Sequence, residues 1–403
     1  MIELLSPAGN FEKLRAAVLY GADAVYLAGQ MFGMRAAAGC FTLSELSEAV
    51  EYCHTRGKKA YLTLNTMPHP DEYPLLEKYL NDIKDIPFDA YIIADMGVLS
   101  LVKEISPERE IHISTQASVV SARSANMYYR LGAKRVVLSR ELTFEEIRNI
   151  RENTPPDLEL EAFVHGAMCI SYSGRCLISN HFTKRDANRG ACAQPCRWIF
   201  NICEEKRPEM PLTMEQEEQG TFLFGSKDLC MIEHIPELMQ SGITSFKIEG
   251  RMKSVYYAAV TANAYRTAID RYLEDPDGYE YDPALLRELE SVSHRQYDTG
   301  FFFDKPMDDP KVADTAGYLE ARAYLADCVG YDKETGVAEF IQKNKAEVGM
   351  QAEIMSPGKT GVSFTIDNMQ NEKGEPIESC PHPYMHFFVK MPFEIKPGDI
   401  MRA

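Results

Sequence analysis

Cys169, Cys176, Cys192 and Cys196 fall within one stretch of the 403-residue chain, Glu161–Arg197, with the spacing C-x6-C-x15-C-x3-C. A thiolate is a soft ligand, and four of them suit zinc or an iron–sulfur cluster. A structural zinc site usually closes tight C-x2–4-C pairs on both arms. Here only Cys192 and Cys196 make such a pair, and the wider Cys169–Cys176 step fits a larger object such as a 4Fe-4S cube. Glycines and polar residues between the cysteines let the backbone fold back on itself. The expected cofactor is therefore a 4Fe-4S cluster, with zinc as the alternative. Cys230, in FGSKDLC, is a further candidate ligand. Its bland reading is a small apolar residue opening a helix over Leu229–Gln240. Cys40, Cys53, Cys203, Cys328 and Cys380 read as isolated thiols.

A cluster needs a scaffold, and the first 250 residues supply a repeating one. Apolar strand-like runs occur at Ile2–Leu5, Ala24–Leu27, Ala60–Leu64, Ala90–Ala94, Ile111–Ser114, Arg135–Leu138, Leu158–Val164 and Ser245–Ile248. Amphipathic segments such as Phe11–Tyr20, Leu43–Arg56, Pro74–Lys84, Ser121–Leu131 and Phe144–Glu152 separate them. Strands alternating with helices imply parallel pairing through right-handed crossovers. Eight such units predict a closed (β/α)8 TIM-like barrel. An open doubly wound sheet is the rival, but SPAGN after the first run misses the dinucleotide fingerprint G-x-G-x-x-G. The expected domains are a barrel over 1–275 with a cysteine-bearing insertion at 165–235, a helical linker at 276–316, and a small all-β domain, a β-barrel, at 317–403. The linker should hold a helix over Pro283–His294. The last segment alternates short apolar runs with Gly, Pro, Asn and Asp.

Barrel enzymes keep their chemistry on the loops that follow the strands. The insertion follows the seventh run and should lie over the barrel mouth. Polar residues at the other strand ends should face the same space. His165, Asp95, Gln116 and Glu249 are the predicted catalytic group; Asn65, Arg140 and Arg251 are predicted to bind substrate. His165 has three readings: a donor to a cysteine sulfur, a general base, or a core residue. No G-x-S-x-G elbow, Ser-His-Asp order or H-E-x-x-H motif is present.

The whole chain carries a net charge of −17, which disfavours non-specific nucleic-acid binding. The local sign around the cysteines is opposite. Arg175, Lys184, Arg185, Arg189, Arg197, Lys206 and Arg207 stand against Asp186, Glu204 and Glu205, with Tyr172, Trp198 and Phe200 close by. Cations that hold phosphates and rings that stack on unpaired bases suit RNA. Arg185 and Arg189 are the predicted phosphate contacts. The rival reading is a solvated wrapper for an anionic cluster. The amino terminus lacks a basic segment before a long apolar core, and no run reaches the length of a membrane span. A reducing cytoplasm is expected, and there clustered cysteines read as metal ligands.

EAFVHGAMCISYSGRCLIS, ELLSPAGNFEKLRAAVLYGADAVYLAG, NRGACAQPCRW, SKDLC and SFKIEGRMKS together resemble the U32 peptidase family, also called collagenase-like proteases. The resemblance covers nearly the whole chain. It implies one of several activities: RNA hydroxylation at the tRNA wobble uridine, 5-hydroxycytidine formation in ribosomal RNA, oxygen-independent ubiquinone hydroxylation, or the proteolysis of the family name. It also implies a 4Fe-4S cluster on four cysteines, matched here at Cys169, Cys176, Cys192 and Cys196. The ubiquinone type lacks the cysteine equivalent to Cys196. The length, with one small β tail, is similar to the tRNA type, whereas Cys230 departs from it. The expected partners are tRNA or rRNA and a redox partner. The rivals are a U32-type peptidase and a non-catalytic iron–sulfur assembly partner.

Overall fold

In the computed structural model each of the eight runs becomes a strand of one parallel sheet. The structure describes residues 2–34, 39–169, 171, 176–187, 190–198, 203–204, 207–211, 226–305 and 318–403. The strands are β1 (Glu3–Pro7), β2 (Ala24–Leu27), β3 (Lys59–Leu64), β4 (Ala90–Ile93), β5 (Glu110–Ile113), β6 (Arg135–Val137), β7 (Glu159–Ala167) and β8 (Ser245–Ile248). Each pairs with the next in parallel register through β7, and β8 bonds to both β7 and β1. The sheet therefore closes, as the predicted barrel requires. Helices α1 (Phe11–Leu19), α2 (Leu43–His54), α3 (Tyr73–Ile83), α4 (Met96–Ile105), α5 (Ala122–Arg130) and α6 (Phe144–Glu152) fill the crossovers. Their starts are written in the sequence. Asn10, Thr42, Ser121 and Thr143 accept from backbone N–H groups three residues on, and Thr42 and Thr143 complete capping boxes with Glu45 and Glu146.

Alternation along the strands divides the side chains into two layers. Leu4, Val25, Leu62, Ile93, Ile111 and Val136 face the helices and join the large core. Leu5, Ala24, Tyr26, Tyr61, Ala90 and Ile92 form a separate cluster, inside the ring. The interior also holds a buried charge network. Arg135 pairs with Glu3, Glu159 and Glu161, and Lys247 with Glu161. The seventh connection departs from expectation after Ser226. In place of a helix over Leu229–Gln240, Asp228–Cys230 forms a short strand antiparallel to the end of β7. A 3-10 turn (Ile232–His234) follows, and a helix begins only at Ile235, with Pro236 in its first turn. Proline is well placed there because the N–H it lacks has no intrahelical acceptor.

Gly166, near the end of β7, has φ +104, and a Cβ there would lie 2.3 Å from the carbonyl oxygen of Glu249. Gly166→Ala combines left-handed strain with a backbone clash. It should destabilise the fold by about 2–4 kcal/mol, read from urea unfolding.

After the last barrel helix (Val255–Glu274) and a helix over Pro283–Glu290, the chain builds a six-stranded antiparallel half-barrel. It docks on the barrel through Arg402, which is buried and donates to Glu288, Glu353 and the Tyr256 hydroxyl. Tyr20 donates to the carbonyls of Met355 and Gly398. Cys328 and Cys380 lie in this domain's core.

Candidate active site at the barrel mouth

All four predicted ligand cysteines line a single cavity, about 120 Å³ in volume, at the carboxy-terminal end of the strands. Cys169 is exposed, and Cys176, Cys192 and Cys196 are half-buried. Cys192 and Cys196 flank the entry to a short 3-10 turn (Pro195–Arg197). Gln194 takes a left-handed conformation between them and turns its N–H onto the Cys192 sulfur at 3.3 Å. The N–H of Ala193 donates to the Ser179 hydroxyl, which ties this loop to the helix Ile178–Thr183. Backbone N–H groups aimed at sulfur stabilise thiolates and are one of the features that set cluster potentials.

A single tetrahedral zinc would draw sulfurs to roughly 3.8 Å from one another, given Zn–S bonds of about 2.3 Å. Among the described residues, no three of these sulfurs lie within 4.8 Å of one another. The group that does meet that spacing is Glu110, His112 and Glu159. It sits at the opposite end of the barrel, where Arg135 already holds Glu159 at 2.6 Å.

The floor and walls are built from inward positions of the strands and the residues just past them. Asn65, Gln116, Arg140, Glu249 and Arg251 all line the cavity, as expected from their places in the chain. Asn65 is fixed by the Met34 N–H, which donates to its Oδ1, and by its own Nδ2, which donates to the Ser114 hydroxyl. Arg140 stacks its guanidinium 3.8 Å from the Phe163 ring centroid. It donates to the Ala167 carbonyl and lies 3.5 Å from the Glu249 carboxylate. Its Nε is buried with no partner among the described residues. Arg251 reaches the Thr63 hydroxyl at 3.5 Å. Lys247, missed in the sequence, joins them from β8, held by Glu161 at 2.7 Å. Its signal was a lysine inside the apolar run SFKI, which is costly unless it has a buried partner.

Two predicted catalytic residues are elsewhere. Asp95 caps α4: its Oδ1 accepts from the N–H groups of Gly97 and Val98 and from the Tyr73 hydroxyl. The helix begins at once after β4, so this carboxylate serves the helix end. His165 is turned away by a β-bulge. The register of β7 against β8 runs Lys247↔Phe163, then Ile248↔His165, so β7 holds one extra residue. An extra residue reverses which side the following side chains face. His165 lands among Tyr297, Tyr265 and Tyr257, with ring centroids 5.3, 5.5 and 5.9 Å away. Burial, aided by the charges of Lys253 and His294, pushes its imidazole down to about 3.

The unfolded chain takes up that proton near ~6.5. The folded chain does so only near 3. Between those values the unfolded state binds more protons, so stability falls as pH falls, by up to about 1.4 kcal/mol per unit. His165→Phe should flatten that acid limb in denaturation measured from pH 7 to 4.

Cys230 also lies outside the cavity. It pairs across from His165 and is buried, and burial pushes its thiol up to about 12. Of the basic segment, Lys184 and Arg185 are exposed. Trp198 is exposed beside Phe182, with ring centroids 6.3 Å apart. Arg189, Arg175, Lys206, Tyr172 and Phe200 lie outside the described residues, as do the side chains of Arg197 and Arg207. Among the described residues, no helix is long and apolar enough to cross a membrane.

Comparison with known proteins agrees with this architecture. Peptidase family U32 matches residues 9–311, and the Peptidase family U32 C-terminal domain matches residues 321–402. The chain is 37% identical over 400 residues to tRNA hydroxylation protein P1 of Bacillus subtilis, covering 99% of this chain and 94% of that protein. It is 38% identical over 274 residues to the 23S rRNA 5-hydroxycytidine C2501 synthase of Escherichia coli, covering 68% of this chain and 40% of that one. It is 31% identical over 371 residues to a collagenase of Porphyromonas gingivalis, covering 89% and 87%. The chain belongs to peptidase family U32, whose tRNA hydroxylation branch it resembles along nearly its full length.

Proposed function

We propose that this protein hydroxylates a pyrimidine in RNA, the wobble uridine of tRNA, using a 4Fe-4S cluster held by Cys169, Cys176, Cys192 and Cys196. The carrying observation is that these thiols and the strand-end polar groups line one cavity, in a chain whose tRNA-hydroxylating relative matches it end to end. Much lower coverage of the rRNA enzyme favours tRNA over rRNA. The wide thiol arrangement and the N–H on the Cys192 sulfur favour a cluster over a single zinc ion. The cluster would supply electron transfer, since four cysteines on four irons leave no open metal position.

The chain's own groups would hold the base. An unpaired or flipped pyrimidine enters the mouth, where side chains read its polar edge. Asn65 and Gln116 offer amides for that edge. Arg140 and Arg251 add cations beside the phosphates or the developing charge. Arg185 and Arg189 would meet the RNA backbone outside the cavity.

Likeness to a collagenase supports a second reading, a peptidase. The cavity carboxylate Glu249 is engaged by Arg140, which leaves it poorly placed as a base for hydrolysis. One experiment separates the readings. Nucleosides from tRNA and rRNA of a deletion strain are analysed separately, and the purified protein is incubated with collagen-like peptide. Loss of a hydroxylated uridine from tRNA, restored by the gene, is the expected result. Unchanged nucleosides with peptide cleavage would overturn it.

A further inference from the structure

A second cavity, about 290 Å³, opens beside the first. Gln194, Glu249, Met252, Lys253, Ser293 and Tyr318 are among its walls. Glu249 lines both cavities, and its partner Arg140 lines the first. Gln194, the residue between Cys192 and Cys196 that turns its N–H onto sulfur, forms part of the far side.

The groups here differ in kind from those beside the cysteines. Tyr318 is 50% exposed, although it is a large ring next to a concave surface. The Lys253 ammonium lies 4.5 Å from its ring centroid, and the Arg295 guanidinium carbon 5.4 Å. Lys253 donates to the Ser293 carbonyl, which fixes its stem at the cavity wall. Met252, exposed alongside, adds a deformable apolar surface. An exposed ring, the Lys253 ammonium and a thioether, with the buried Arg295 guanidinium near the same ring, make a surface that accepts an aromatic heterocycle carrying negative charge. Glu249 is the one acidic group named in its wall, and Arg140 offsets it.

We propose that this second cavity takes the nucleotide adjoining the modified pyrimidine, with its base stacked on Tyr318 and its phosphate facing Lys253. The proposal rests on the RNA-hydroxylation reading and extends it. The shared wall matches a strand whose consecutive bases splay into neighbouring pockets, the usual way single-stranded RNA is read. Stacking tolerates any base, so this subsite would give affinity and register more than sequence choice.

The test uses the full-length protein, prepared without oxygen, and single-stranded RNA heptamers with a central uridine. Binding is followed by fluorescence anisotropy. Tyr318→Ala should weaken binding roughly 5- to 150-fold, the range for one lost base stack, while Tyr318→Phe binds as wild type. Removing the base on one flank of the uridine should weaken the wild type by a similar factor and leave Tyr318→Ala nearly unaffected, because both changes delete the same contact. Tyr318 is half exposed, so its truncation leaves no core cavity, and an unchanged melting temperature checks this. Equal binding by Tyr318→Ala, or no loss from an abasic position on either flank, would overturn the subsite while leaving RNA hydroxylation standing. A wild-type protein that binds no RNA would bring down the hydroxylation reading and the subsite with it.

Discussion

Cys196→Ala protein, purified without oxygen, should be pale, with its absorbance near ~400 nm and its iron largely lost. Cys230→Ala protein should keep both. The contrast is sharp because both residues lie in the connection between β7 and β8 and only one reaches the cavity. Cys196 lines it with Cys169, Cys176 and Cys192. Cys230 sits in the core, beneath the end of β7, with a thiol that burial pushes up to about 12. A ligand must be a thiolate, and that site opposes one. Hydroxylated uridine in tRNA should vanish with the first variant and persist with the second. If Cys230→Ala loses iron while Cys196→Ala retains it, the ligand set proposed here is wrong. If neither holds iron but both hold zinc, the cluster itself is wrong.

Much of this architecture could be read from the chain because strand alternation is a strong signal. All eight barrel strands lie where the apolar runs place them, and Asn65, Gln116, Arg140, Glu249 and Arg251 follow from strand ends alone. The misreadings have local causes. His165 obeys the same rule as Glu249, but one extra residue in β7 reverses its direction. A bulge is a pairing property between two strands far apart in the chain, and no local pattern announces it. Gly166, which follows at positive φ, was its one trace. Asp95 was a helix cap as well as a strand-end residue, and the cap took precedence because α4 starts at the very next residue. Lys247 was hidden by treating SFKI as a plain apolar run. Its partner, Glu161, was hidden in the same way inside β7.

Glu161→Gln should lower stability by about 3–5 kcal/mol, the usual consequence of breaking a buried charge network by removing one partner. Glu161 is fully buried in the barrel interior. Its carboxylate accepts from Lys247 at 2.7 Å, Arg135 at 2.9 Å and the Ser245 hydroxyl at 3.0 Å. Glutamine has the same shape and lacks the charge, so packing is preserved and the electrostatic part is isolated. Arg135 would keep Glu3 and Glu159, whereas Lys247 would lose the carboxylate that anchors it. The pH dependence carries a second signature. Burial alone would raise the Glu161 carboxyl, but Lys247 and then Arg135 outweigh it and hold the group below its ordinary range. A lowered carboxylate contributes its full stability above the unfolded value of about 4.3. That contribution is lost as pH falls through the lower folded value. The wild type should therefore lose this share of its stability below about pH 4, and the variant, having none to lose, should show a shallower acid limb. Lys247 also lines the cysteine cavity, so the variant should bind RNA or hydroxylate it less well even at temperatures where it stays folded. Urea unfolding at pH 7 and at pH 3 measures the first effect, and nucleoside analysis of complemented cells the second. A loss under ~1 kcal/mol at pH 7 would mean that water or a neighbouring group already compensates Lys247, and that the floor of the site does not depend on the ion pair beneath it.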